Sequence, residues 1–229
     1  MTRVIFRKRN CKLIFLLLCF KLSLLGASSV SAADSIVAVG DSLRAFVPIK
    51  SWKAIRDSRI VKQDLDYSCG AASLATILRE HYGLSVTEEE ILHIMDKKDM
   101  RASFDDMANV LSGMGFRGVG YAASFDQLTK LRIPVIVYTK HRKDDHFSVL
   151  RGIDRNTVWL ADPSLGNRTF SKYQFLEMWE TRDSLDLKGK ILAIIPIGQQ
   201  VQGSDDFFTS QPQRQTSQAA LQQIFKYRP

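Results

Sequence analysis

The feature that most constrains this chain is a change of grammar near residue 132. Before that point apolar residues follow helical spacing between capping signals; after it, β-branched runs take over. Ser68 is an N-cap candidate ahead of "CGAASLATILREHYG", where Ala71, Leu74, Ala75, Leu78 and Tyr82 form one apolar stripe and Gly83 ends the helix. Thr87 with Glu90 and Ser103 with Asp106 make capping-box patterns that open two more helices, and Ser124 with Gln127 opens a short one. The second half reads as strands at "IPVIVYT", "HFSVLRGI", "TVWLAD" and "KGKILAIIPI", with one helix after Ser171 and Gln174. Helices first and strands afterwards predict an α+β fold, N-terminal helices packed on a C-terminal antiparallel sheet. That domain spans residues 58–198. Residues 33–57 read as an extended lead-in, since "LRAFVPIKSWKAIRDSRIVKQ" (residues 43–63) has alternating apolar residues that suit one or two strands or an extended segment. Residues 199–229 hold nine glutamines and too little apolar surface for a core, and read as a flexible tail with a short docking helix at its end.

The N-terminus sets the compartment. A cationic start, the apolar run "LIFLLLCF", Lys21 and then "LSLLGASSVSA" read as a signal peptide over residues 1–32, cleaved after Ala32. The apolar run is too short for an ordinary transmembrane helix. Export to the periplasm is therefore expected, with membrane attachment only if the segment stays uncleaved. The same segment explains the charge. The chain carries 32 basic and 24 acidic residues, a net +8, but six basic residues and no acid lie within 1–32. The remainder is close to neutral, which argues against a nucleic-acid partner.

Cleavage removes Cys11 and Cys19 and leaves Cys69 as a solitary thiol in an oxidising compartment, where no disulfide can form within the chain. One cysteine and four dispersed histidines (81, 93, 141 and 146) give no metal-ligand spacing, and no cofactor is implied. Taken alone, Cys69 is as consistent with a small buried hydrophobe as with a nucleophile. Its place at a helix start favours a thiolate, and Gly70 would leave room for close approach to the sulfur. Gln63, six residues upstream, could donate to an oxyanion or simply sit in a loop. His81 near a helix end complements the dipole as a cation, His93 lies on a helix surface and His141 in a charged loop. His146 begins a strand, where a rigid sheet can present it to a cleft.

A hairpin argument adds Asp162. Strands "HFSVLRGI" and "TVWLADP" flank the turn triplet "DRN". Folded antiparallel in an even register, they bring Asp162 to the same face as His146; a one-residue slip puts it on the wrong face. Asp144 and Asp145 compete by proximity, although Asp145 would point away if the strand extends back. Ordinary turn chemistry in "DPSLGN" is the competing role for Asp162.

"QDLDYSCGAASLATIL", "DDHFSVLRGI" and "VWLADPSLGNRTFSKYQFLEMWE", in this order and spacing, resemble peptidase family C39 over roughly residues 58–197. The resemblance implies a papain-like cysteine peptidase with Cys69 as nucleophile, His146 as base, Asp162 as orienting residue and Gln63 in the oxyanion hole. It also implies a polypeptide substrate cut after glycine or another small residue. Many family members are domains of ABC exporters, and this chain has no transmembrane bundle or phosphate-binding loop. Its layout is similar to stand-alone exported members, including the peptidase of functional-amyloid secretion systems, so a secretion or outer-membrane assembly is an expected partner. Three alternatives stay open: a cell-wall cysteine amidase, a non-catalytic substrate-binding accessory, and a structural accessory in which Cys69 is simply buried.

Overall fold

The computed structural model describes residues 35–38, 44–47, 51–96, 101–141, 144–198 and 201–213. The chain divides after Lys50 into two units. In the first, β1 (Ser35–Ala38) and β2 (Arg44–Val47) form an antiparallel ribbon with Ser35 opposite Val47. The expected signal peptide, residues 1–32, lies outside the described residues. Among the described residues no helix is long and apolar enough to cross a membrane.

The second unit begins with a helix where the sequence reads as extended. In α1 (Trp52–Arg56) the Ala54 N–H donates to the Ser51 hydroxyl at 3.1 Å, a local cap hidden behind the apolar alternation. The lead-in expected over 33–57 therefore ends in a helical turn. Next come α2 (Cys69–Glu80), α3 (Glu88–Met95), α4 (Phe104–Gly113), β3 (Phe116–Ala123) and α5 (Phe125–Leu128). Strands β4 (Val135–His141), β5 (Asp144–Ile153), β6 (Thr157–Asp162) and β7 (Gly166–Ser171) follow, then α6 (Lys172–Trp179) and β8 (Gly189–Pro196). All four expected capping boxes are present, each with reciprocal side-chain and backbone hydrogen bonds.

The six strands form one antiparallel sheet in the order β3-β8-β4-β5-β6-β7. On one face Leu74, Ile77 and Leu78 of α2 pack with Ile136, Val149 and Leu192, as expected for helices laid on the sheet. The other face is covered as well: Phe175 and Trp179 of α6 and Leu128 of α5 pack on Val137, Leu150 and Leu160. Strands β3 and β7 were not legible as strands. The first reads as a glycine-rich end of α4, the second as turn.

The expectation of a flexible tail from residue 199 needs correction. Residues 201–213 lie against the domain as a strap, and residues 214–229, with the expected docking helix, fall outside the described residues. Phe207 is 1% exposed and belongs to the main core. Thr209 bridges β5 in parallel: its N–H donates to Arg151 O at 3.0 Å, and Ile153 N–H donates to Thr209 O at 3.1 Å. Arg59 ties the strap to α2 by reaching Glu80 and Asp206, each at 3.0 Å. His81 is not the surface cation its position suggested. It is buried, burial lowers its pKa, and Nδ1 donates to the Ser204 carbonyl at 2.9 Å. The two adjacent phenylalanines hold the strap from both sides, Phe207 packing in the core with α2 and Phe208 in the core with α6.

Candidate active site

Cys69 is the first residue of α2, and no side chain caps that helix. The Ser68 hydroxyl instead closes the preceding turn, donating to Leu65 O at 2.7 Å and accepting from Leu65 N–H at 3.2 Å. The first-turn N–H groups and the positive end of the helix dipole are thus turned on the sulfur and its surroundings. Glu88, buried at the start of α3, steadies the same loop by accepting from Asp64 N–H at 3.1–3.2 Å; burial raises its pKa. Sequence reading missed this role, since Glu88 looks like any acid in a helix's first turn. Gly70 serves a different end from the one expected. It is buried, and a β-carbon there would lie 3.1 Å from the Ala102 methyl, so it lets segment 101–103 close against α2 rather than opening space for substrate.

His146 arrives from β5. The Ser73 hydroxyl donates to Phe147 O at 3.3 Å, and the Phe147 N–H hydrogen-bonds the Cys69 sulfur, so α2 and β5 are fastened one residue from the histidine. Asp162, at the end of β6, lies 3.0 Å from His146 Nε2. Its carboxylate also accepts from Ser148 Oγ at 2.9 Å, Ser164 N–H at 2.9 Å and Leu165 N–H at 2.8 Å. Every lone-pair direction of this buried carboxylate is engaged, which holds it rigidly. Ser148 was overlooked although it stands two residues from His146 on the same strand face.

The register behind this pairing is not the one a three-residue turn would give. The hairpin closes with Ile153 opposite Val158, the turn being held by Asp154 Oδ1, which accepts from the Asn156 and Thr157 N–H groups at 2.6 and 2.7 Å. Carried on unbroken, that register would set Asp162 opposite Val149, on the wrong face. A bulge between Leu150 and Gly152 shifts it by one residue, so that Val149 faces Ala161 and Asp162 falls beside Ser148, diagonal to His146. The bulged Arg151 is buried between Trp159 and Phe207, its guanidinium carbon 4.3 and 4.6 Å from the two rings, and NH1 donates to Asn167 Oδ1 at 2.9 Å.

The electrostatics follow from these contacts. Burial depresses the imidazolium of His146, yet hydrogen bonds and charge from Asp162 and Cys69 overcome it and raise the pKa to about 9. Burial pushes the Cys69 thiol up, and His146, the Phe147 N–H and the charge of Arg101 together bring it below its ordinary value. Asp162 is buried too, but His146 and its other donors hold its pKa down. With Nε2 on Asp162, Nδ1 is the nitrogen left for the thiol. Such an arrangement supports a thiolate–imidazolium pair, a nucleophile with a proton donor beside it. Arg101 was missed: its NH1 donates to Asp145 O at 2.8 Å, and nothing in its spacing pairs it with Cys69. Asp145 faces away from Asp162, as expected for a strand that extends back, and accepts from Tyr138 OH at 2.6 Å. That bond, after burial, pushes the Tyr138 pKa up to about 12.

Gln63 is close in the chain but engaged locally. Its backbone N–H donates to Pro163 O at 3.2 Å, tying it to the turn after Asp162, and its side-chain amide donates to Leu65 O at 2.9 Å. One amide hydrogen is thereby committed, and among the described contacts none joins Gln63 to Cys69. Among the described residues no cluster of three or more His, Cys, Asp or Glu is placed to hold a metal ion.

Comparison with known proteins agrees with this chemistry. The model of the peptidase C39 family matches residues 57–183, more than half of the chain. A probable functional amyloid protease FapD from Pseudomonas fluorescens is 36% identical over 165 residues, covering 69% of this chain and 73% of its own. The FapD of Pseudomonas aeruginosa is 36% identical over 140 residues, covering 57% and 62%. Among solved structures, the peptidase domain of Streptococcus ComA, a bi-functional ABC transporter involved in quorum sensing, superposes with a TM-score of 0.51 at 20% identity, over 60% of this chain and 97% of that domain. A double glycine motif protease from an AMS/PCAT transporter, solved with its leader peptide, gives 0.50 at 23% identity, over 60% and 90%. The two structures carry the fold, papain-like α+β, and the family model with the FapD relatives carries the kinship: this chain belongs to the peptidase C39 family and is a cysteine peptidase.

Proposed function

We propose that the protein is an exported peptidase that cuts a secreted or periplasmic polypeptide after glycine or another small residue. The observation that carries this reading is the run of hydrogen bonds from Asp162 through His146 to Cys69 at the open end of α2. The Cys69 thiolate attacks the carbonyl carbon of the scissile bond. The developing oxyanion takes the Cys69 backbone N–H and the second amide hydrogen of Gln63. As the tetrahedral intermediate collapses, the C–N bond breaks and His146 gives its proton to the leaving amine. Water, deprotonated by His146, then attacks the acyl carbon, the C–S bond breaks, and the acid leaves with the thiolate–imidazolium pair restored. Asp162 keeps the imidazole oriented and its cationic form stable throughout.

A small residue before the cut is favoured because Cys69 is only 3% exposed, so a bulky side chain on the attacked residue would hold its carbonyl off the sulfur. The cationic, apolar and small-residue sequence of 1–32 supports export, and the FapD names support a substrate belonging to a functional-amyloid secretion assembly. The test is to map the N-termini of secreted and outer-membrane proteins from cells carrying wild type or Cys69→Ala. At least one processed terminus, preceded by a small residue in its precursor, is expected to vanish in the variant; an unchanged set of termini refutes the reading.

A further inference from the structure

Alternation along β5 puts its residues on two sides of the catalytic pair. Asp145 and Phe147 face α2, and with Cys69, Arg101, Phe104 and Tyr138 they line a cleft of about 300 Å³. Asp144, His146 and Ser148 face the α6 side, where a second cleft of about 370 Å³ opens. The first cleft touches the nucleophile and not His146; the second touches His146 and Asp162 and not Cys69. Phe170 and Met178, in the wall of the second cleft, also line a recess of about 630 Å³ that runs along α6 past Gln174, Glu177 and Thr181. The second cleft therefore continues away from the catalytic pair as a groove.

We infer that this groove holds the part of the substrate that follows the scissile bond, and that it seats an apolar side chain from the first or second residue after the cut. This inference rests on the roles proposed for Cys69 and His146. When the bond breaks, the carbonyl carbon stays on the Cys69 sulfur and the nitrogen leaves with a proton from His146. Surfaces that touch the histidine but not the sulfur thus meet the departing half of the chain. Leu160, Leu165, Phe170 and Met178 form an apolar wall there, Asp144 and Arg168 also line the cleft, and Leu165 is still 51% exposed and so able to bury more surface. At the base of the cleft the Ser148 hydroxyl and the Asp162 carboxylate are bonded to each other. With Ser148 and Asp162 committed to each other, the apolar wall is the part of the cleft that a side chain after the cut would bury against.

The test starts with the folded enzyme and a library of peptides from a digested proteome, cleavage sites being read by mass spectrometry with Cys69→Ala as control. Synthetic peptides are then built on one cleaved sequence, with Leu or Gly at the first residue after the cut in one pair and at the second in another, and the pair with the larger ratio is carried forward. Wild type is expected to prefer Leu by about tenfold in kcat/KM. Met178→Asp should bring that ratio close to one, and Met178→Leu should keep it. Because both peptides are read on the same preparation, a loss of folded enzyme leaves the ratio unchanged. Cleavage that depends on Cys69 but shows no preference after the cut, or a ratio that Met178→Asp does not alter, overturns this inference alone. No Cys69-dependent cleavage of the library overturns the proposed roles of Cys69 and His146 and this inference with them.

Discussion

Replacing Asp162 with asparagine keeps the outline of the side chain and removes its charge. His146 titrates at about 9 instead of the ordinary 6.5, although burial alone would lower it. That gap is worth about 3 kcal/mol in favour of the imidazolium. Asp162 is the first favourable contributor and the Cys69 thiolate the second, so removing the carboxylate charge should cost on the order of 1–2 kcal/mol, roughly a tenfold change in the ion-pair population. Below the lowered thiol pKa the pair is thiol and imidazolium; between that value and about 9 it is thiolate and imidazolium; above about 9 the imidazole is neutral. Iodoacetamide reaches Cys69 through the cleft it lines, and its rate follows the thiolate. Wild type should alkylate on a plateau that begins below the ordinary thiol range, and peptide turnover should fall away on the alkaline side near pH 9, where the proton donor is lost. In Asp162→Asn the alkylation rate at pH 7 should drop about tenfold, its rise should move toward the ordinary thiol range, and the alkaline limb of turnover should move to lower pH. Superimposable profiles for the two proteins would refute the electrostatic role of Asp162.

Two further outcomes test the supports of the site. Ser148→Ala deletes one charge-assisted hydrogen bond to a buried carboxylate that keeps three other partners; urea unfolding should show a loss of about 2 kcal/mol, and no measurable change would mean that bond contributes nothing. Gly152→Ala places a β-carbon 2.9 Å from Thr209 Cγ2 and 3.3 Å from Pro212 Cβ; it should cost about 1–3 kcal/mol and expose residues 201–213 to limited proteolysis, whereas an equally protected strap would contradict the close packing.

The capping boxes were legible because each is settled within four residues by hydroxyl, carboxyl or amide groups meeting the backbone. Strands β4, β5, β6 and β8 were legible through their β-branched runs. Strand β3 carries two glycines and an arginine and β7 is mostly polar, so their strand character comes from lying next to β8 and β6. For the site, residue type and order pointed to Cys69, His146 and Asp162, but the register was reached by a different route, since the actual turn is longer and the bulge at Arg151 restores the pairing. Arg101, Ser73 and Glu88 could not be found in the same way: their partners lie on other elements and no spacing rule joins them. Residues Phe207 and Phe208 were the signal for the strap, hidden by the polar residues around them.

One consequence of the sheet order concerns synthesis rather than catalysis. Strand β8, made after every other strand, lies between β3 and β4. Until residues 189–196 exist, β3 has no neighbour in the sheet and β4 has one open edge, so the sheet cannot close before they are made. Pairing β3 with β8 then requires closure of a long loop late in folding, a slow step that leaves apolar strands uncovered in the meantime. A chain of this topology leaves β3 unpaired and one edge of β4 open until residues 189–196 have been made, so the sheet is completed by its last strand rather than grown outward from its first.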